Sequence, residues 1–217
     1  MTGFSTVLPA GRKRRGEGHT RREEILQAAK ELFLEQGYDS TTIRRIADRV
    51  GISAPALYLY FKDKEELFRA VVRDTVSPNI DHLREAIMAV DLPFAQIVPI
   101  FLGRLSAVAA TMPLGSVVKM VIGESGNFPE LARVWQEQVV SKALGIMVGL
   151  IEKAQRRGEV RPGDPRLHAF SLMGPMLMGL MYREVLQPAG GAPIDIEALA
   201  RQHADTILNG LLMERSQ

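Results

Sequence analysis

The groups best placed for chemistry in this chain are cations and hydroxyls at the starts of short helices, with four basic residues in succession, Arg12-Lys13-Arg14-Arg15, ahead of them. A cluster of that kind attracts phosphate backbones, anionic lipid or acidic protein, or is simply a solvated tail. Thr42 and Lys64 each stand at an expected helix N-terminus, where free amides and the helix dipole favour a phosphate oxygen; Thr42 also serves as an N-cap there. Arg44 carries a guanidinium able to pair in bidentate fashion with guanine, while Arg45 either meets phosphate or is solvated charge. Ser53, Ala54, Pro55 and Ala56 are small and mostly apolar, which suits close approach to a duplex and contact with thymine methyl groups. Catalysis has little footing. The histidines His19, His82, His168 and His203 are scattered, and Gly123-Glu124-Ser125-Gly126 stops one residue short of a nucleophile elbow. There are no cysteines, which excludes disulfides, thiolate zinc sites and a cysteine nucleophile. We therefore expect no enzyme, no cofactor and no metal.

These groups depend on helices for their placement. The 217 residues are 46% hydrophobic and 24% charged, in the range of ordinary globular chains. Residues 1–64 hold 12 Lys/Arg against 8 Asp/Glu and the remainder 15 against 17, so the basic end is the N-terminal one. Residues 1–19 lack apolar periodicity and read as a disordered basic arm. Thr20-Arg21-Arg22-Glu23 is a capping box that starts a helix with Ile25, Ala29, Leu32 and Phe33 on its apolar face, ended by Gly37. Thr42 caps a second helix, stopped by Gly51, and Ser53 caps a very short third one with Pro55 in its first turn. Asp63 and Glu66 begin a fourth. Ala47, Leu57 and Phe61 are apolar positions that lock the second and third helices to the first. The Gly51-Ile52-Ser53 joint has helix-turn-helix spacing, though short helix pairs also occur in ordinary bundles.

Beyond residue 64 the pattern predicts helices near 64–89, 94–111, 114–124, 129–157, 165–187 and 195–213. The fold class is all-α: an arm at 1–19, a three-helix reader at 20–64 and a helical bundle at 65–217. The longest uncharged run, Leu167–Tyr182, has 16 residues, short of the roughly 20 that a membrane span requires, so we expect no spanning segment, and a cytoplasmic protein. Seven of the ten methionines lie from Met112 to Met181, among them Met120, Met147, Met173 and Met176. Gly145-x-x-x-Gly149, Gly174 and Gly179 remove side-chain volume, and Pro175 interrupts a helix. Such a set suits either a methionine-filled core or a cavity for a small lipophilic effector. Arg104, Glu124, Asn127, Gln138, His168 and Tyr182 are the polar groups that could reach such a ligand.

From Thr42-Ile43-Arg44-Arg45-Ile46-Ala47 through Gly51-Ile52-Ser53, and again at Leu57-Tyr58-Leu59-Tyr60-Phe61-Lys62-Asp63-Lys64-Glu65-Glu66-Leu67, the sequence resembles the tetracycline-repressor (TetR/AcrR) family, over residues 20–68. The stretch Val121–Trp135, with Glu124 and Phe128-Pro129-Glu130-Leu131-Ala132, looks like one C-terminal subclass of it. The resemblance implies a nine-helix repressor that binds a palindromic operator in double-stranded DNA as a homodimer and is released by a small ligand that tilts the fourth helix. It implies that Tyr58 faces the DNA backbone and Tyr60 touches phosphate; half-buried packing is the other reading of each. It places the dimer interface on the last two helices, where Leu167, Phe170, Met173, Gly174, Leu177, Met178 and Met181 make the first apolar and Ile196, Leu199, Ala200, His203, Ile207 and Leu211 supply a stripe on the second; internal core is the other reading. Leu59 departs from the larger aromatic or polar residue common at its position, so no contact is carried over to it. An architectural DNA-binding protein, or an activator without an effector, is the alternative.

Overall fold

Helix α1 (Arg15–Ser40) begins five residues before Thr20, so Thr20 lies inside the helix and not at its cap, and residues 15–19 are helical where the sequence suggests an arm. The computed structural model describes residues 15–88 and 91–211, without the side chains of 15–19 and 88; Arg12, Lys13 and Arg14 lie outside the described residues. At Gly37 the backbone takes φ 83° and ψ 173°, a conformation open to glycine alone, and the helix breaks as its sequence predicts. The buried Thr41 hydroxyl donates to the carbonyls of Leu32 (3.1 Å) and Gly37 (2.7 Å), sealing the broken end.

Helices α2 (Ile43–Val50), α3 (Ala54–Leu57) and α4 (Lys64–Thr75) follow, each with the cap its sequence announces. Thr42 Oγ1 accepts from the Arg45 amide at 3.2 Å, Ser53 Oγ from Ala56 at 3.3 Å, and Asp63 Oδ1 from Glu66 at 2.8 Å. The Glu66 carboxylate reaches back to the Lys62 amide (2.6 Å), one residue earlier than a standard capping box. Gly51 is left-handed, and the Ile52 amide returns to Ala47 O at 3.0 Å to close α2. Ala47, Leu57 and Phe61 are buried with Ile25, Ala29, Leu32 and Phe33 of α1.

The helix expected over 64–89 divides at Val76 into α4 and α5 (Ser77–Met88), because Pro78 has no amide hydrogen for the carbonyl one turn earlier. The bundle continues with α6 (Phe94–Thr111), α7 (Leu114–Glu124), α8 (Pro129–Trp135), α9 (Ser141–Arg156), α10 (Pro165–Met181) and α11 (Ile196–Leu211). A π-helical turn, Gln136–Val140, joins α8 to α9, and another, Tyr182–Leu186, extends α10 after the helix has passed through Pro175. With α4 and α5 counted as one rod, and α8 and α9 as another, the described residues form nine rods and no sheet.

Two cores organise them. The first unites α1–α4 with Met120, Val121, Leu131 and Val134 of α7 and α8; the second lies among α6, α9, α10 and α11. By length and composition α6 is apolar enough to cross a membrane, unlike the uncharged run that stood out in the sequence. Phe94, Ile97, Val98, Phe101 and Leu102 of α6 are buried in the second core, where it packs along α11, while Ile100 is exposed. Gly115 lets α7 touch the α10 backbone: a Cβ there would sit 2.5 Å from Leu180 O. Gly115→Ala is expected to cost about 1–3 kcal/mol, read from the shift in a urea unfolding midpoint.

Candidate nucleic-acid interface and effector cleft

The reader presents few free cations. Arg44 extends from α2 with its side chain 86% exposed and only a distant Asp48 carboxylate (4.0 Å) for company. Arg45 is turned back, donating to Gln36 Oε1 (2.5 Å) and Ser40 O (3.3 Å). Arg49 pairs with Glu31 and Glu35, and Arg22 with Asp74 (2.9 Å). Thr42, Ser53 and Pro55 are exposed, Ala54 and Ala56 half-buried, so the leading end of α3 is open and small. Tyr58 is exposed, whereas Tyr60 is half-buried and packs on the first core.

Lys64 is placed differently from its expectation. Its ammonium donates to Tyr38 O (2.8 Å) and Asp39 O (3.4 Å) and lies over the rings of Tyr38 and Phe128, at 4.1 and 5.3 Å from their centroids. Burial pushes its pKa below the ordinary lysine value, against the opposing pull of Asp39, Glu124 and Glu130. The same surroundings raise the Tyr38 phenol, by burial first and by the Glu130 and Glu65 carboxylates after it. The cation left facing solvent at this corner is Lys62, whose side chain is 86% exposed with Asp63 at 3.9 Å. Leu59, to which the sequence assigned no contact, is 80% exposed. The signal for Lys62 was its place between the Tyr58 and Asp63 landmarks.

A cleft of about 550 Å³ opens between α5, α6 and α9. Its floor is apolar, with Ile80, Ile87, Ile97, Ile146 and Leu150, and its rim carries Arg84, Lys142, Lys153 and Arg156. Gly145 and Gly149 line it, and a Cβ on either would meet only open space. Lys142 pairs loosely with Asp81 (3.7 Å), and Lys153 with Asp91 (2.7 Å), whose carboxyl Lys153 and Arg157 hold down to about 2. Arg84 and Arg156 form no ion pair among the described residues.

None of the methionines or polar side chains that the sequence suggests for the ligand lines this cleft; of its cavity signals, Gly145 and Gly149 do. Met147 and Met176 are buried core, and Met173 packs half-buried beside them. Met112 and Met120 border a void of about 30 Å³ beneath α1 and α4, with room for about one water. Arg104 and Asn127 are exposed, and the Gln138 carbonyl accepts from Ser77 Oγ (3.3 Å). The Tyr182 ring fills the space beside Gly191. Glu124 is occupied by the reader, accepting the amides of Tyr38 (3.0 Å) and Asp39 (2.6 Å). Along α10, Leu167, Phe170, Leu177 and Met178 remain exposed around Gly174 and Pro175. No group of three His, Cys, Asp or Glu side chains is gathered for a metal among the described residues.

Residues 25–71 match the model described as bacterial regulatory proteins, tetR family, and residues 100–202 the model of a tetracyclin repressor-like C-terminal domain. The chain is 31% identical over 157 residues to the HTH-type transcriptional repressor BepR of Brucella suis, an alignment covering 69% of this chain and 73% of BepR. A TetR-family regulator from Mesorhizobium loti superposes with a TM-score of 0.71 at 28% identity, covering 91% of this chain and 96% of its own. FadR of Bacillus subtilis, solved with stearoyl-CoA, shares the fold with a TM-score of 0.71 at 21% identity, over 87% of this chain and 98% of its own.

The contrast between the two lysines has a direct readout in the salt dependence of duplex binding. Lys62→Ala is expected to reduce the slope of log affinity against log salt by about one, and Lys64→Ala to leave the slope unchanged.

Proposed function

The chain belongs to the TetR family of bacterial regulatory proteins, and on that footing we propose that it is a cytoplasmic repressor that grips a palindromic operator as a homodimer and lets go when an amphipathic anion enters the α5–α9 cleft. The observation that carries this reading is the continuity of α4 with α5. The reader rests on α4, through Leu67, Phe68, Ala70 and Val71, and the cleft is walled by α5, with only the Val76 joint between them. A ligand that fits only a spread cleft shifts α5, and with it the head that α4 carries; its effect is bounded by its differential affinity for the two arrangements.

The effector's chemistry follows from the lining. An apolar floor takes an alkyl chain or fused rings, and the rim, where Arg84 and Arg156 stand beside Lys142 and Lys153 already paired with Asp81 and Asp91, takes a carboxylate or a phosphate. The stearoyl-CoA bound by FadR supports an acyl chain with an anionic head. The exposed apolar stripe of α10 supports pairing with a second copy, since Gly174 and Pro175 at its middle let two backbones approach. Two readers held about 34–36 Å apart, or a multiple, then address successive turns of one duplex face. Within each reader, Arg44 selects a base pair and Tyr58, Lys62 and the Thr42 helix terminus hold the phosphates.

Selection of bound fragments from genomic DNA tests the reading: a short palindrome supports it, and sequence-blind coverage overturns it. On the selected palindrome, Arg44→Ala should lose about 1–3 kcal/mol and relax preference at one base pair per half-site, as read by repeating the selection. Gly149→Leu fills the cleft. It should leave operator affinity intact while abolishing release by long-chain acyl-CoA, followed by fluorescence anisotropy of labelled operator.

A further inference from the structure

We infer that Glu124 is a positioning residue for DNA reading: its carboxylate holds the reader at one attitude on the body and thereby sets the separation of the two recognition helices. The inference rests on the dimeric operator-binding reading given above.

The Tyr38–Asp39 segment joins the break in α1 to the start of α2, and it is gripped by groups of opposite charge. Its two amides donate to Glu124, one to each oxygen, at 3.0 and 2.6 Å, while its two carbonyls accept from the Lys64 ammonium at 2.8 and 3.4 Å. The lysine belongs to the reader's own α4; the carboxylate comes from the end of α7, 85 residues away in sequence from Asp39. Gly37 leaves the space that this approach requires, since a Cβ there would collide with Glu124 Oε1. Phe128, just beyond α7, meets the Tyr38 ring edge-on at 5.2 Å, and Glu130 lies within reach of its hydroxyl.

The other end of α7 is equally fixed. Gly115 lies against the α10 backbone at Leu180, and the Ser116 amide donates to Glu184 Oε2 at 2.7 Å, in the π-helical extension of α10. The 11 residues of α7, a rod of about 16 Å, therefore run as a strut from the helix whose apolar stripe awaits a second copy to the turn that aims α2 and α3. Core contacts alone allow a head to rock on a greasy seat, because apolar packing has no directional requirement. Two charge-assisted hydrogen bonds to successive amides do impose a direction.

The test compares wild type, Glu124→Ala and the isosteric Glu124→Gln, which keeps one acceptor, on three duplexes: the selected palindrome, the same palindrome with one base pair inserted between its halves, and a single half-site. Glu124→Ala should lose about tenfold on the palindrome, because freer heads lower the effective concentration of the second reader. It should also flatten the penalty for the inserted base pair, with half-site affinity unchanged and Glu124→Gln intermediate. A spin label on Lys62→Cys in each protomer, in a chain without other cysteines, gives the head-to-head distance without DNA; its distribution should broaden in both variants. A wild-type spacing penalty together with a wild-type distance distribution in both variants overturns the inference. So does a parallel loss on half-site and palindrome, which would mean that the reader itself has loosened. Failure of the wild type to prefer any palindrome overturns the parent reading instead, and the label distances then still decide the part played by Glu124.

Discussion

The recognition helix, Ala54–Leu57, is a single turn, and a single turn has no stability of its own in water because nucleation fixes several residues for one hydrogen bond. Its geometry is imposed from outside. Ser53 ties down an amide at one end, Pro55 pre-sets the backbone in the first turn, and Leu57 and Phe61 anchor the other end in a core built around α1. Every exposed group on the reader inherits its position from that core. A face made of alanine, proline and serine has little reach of its own, so its direction is set by the rigidity beneath it.

The cleft follows the opposite logic, for it is made by what is missing. Gly145 and Gly149 leave a groove along α9 where larger side chains would have stood, and the cations at its edge stand on long, flexible stems. The π-helical turn Gln136–Val140 lies just ahead of this stretch, and a wound-in extra residue of that kind shifts the phase of every position after it. The glycines and lysines of α9 share a direction because positions 142, 145, 149 and 153 recur at helical spacing. At the far wall, Pro78 weakens the ladder between α4 and α5 beside Val76, placing a deformable point in the rod that links cleft to reader.

What the sequence made legible was local chemistry. Caps at Thr42, Ser53 and Asp63, stops at Gly37 and Gly51, and the buried stripe through Ala47, Leu57 and Phe61 depend on neighbours within a few residues, and each stands as read. What escaped was direction across long separations. Lys64 at a helix start suggested phosphate, but the carbonyls of Tyr38 and Asp39, some 25 residues earlier, offered its ammonium a nearer acceptor. Thr20 looked like a cap because its capping-box pattern says nothing about whether residues 15–19 continue the helix backwards. The methionines suited either a packed core or a cavity, because an adaptable side chain fills space as readily as it lines it, and Met147 and Met176 are packed solid. The glycine pair was the better signal, since absent volume cannot be refilled by a rotamer change.

The first core does not respect the boundary drawn at residue 64, for Met120, Val121, Leu131 and Val134 of the body are as much its members as Ile25 or Phe33. Modular exchange among relatives is limited by that fact. A head spliced off at the start of α4 would bring half of a socket, and its new host would have to provide matching shapes on α4 and on two helices farther downstream. Chimeric sensors built from this protein should therefore be cut so that the α7–α8 corner travels with the head it seats.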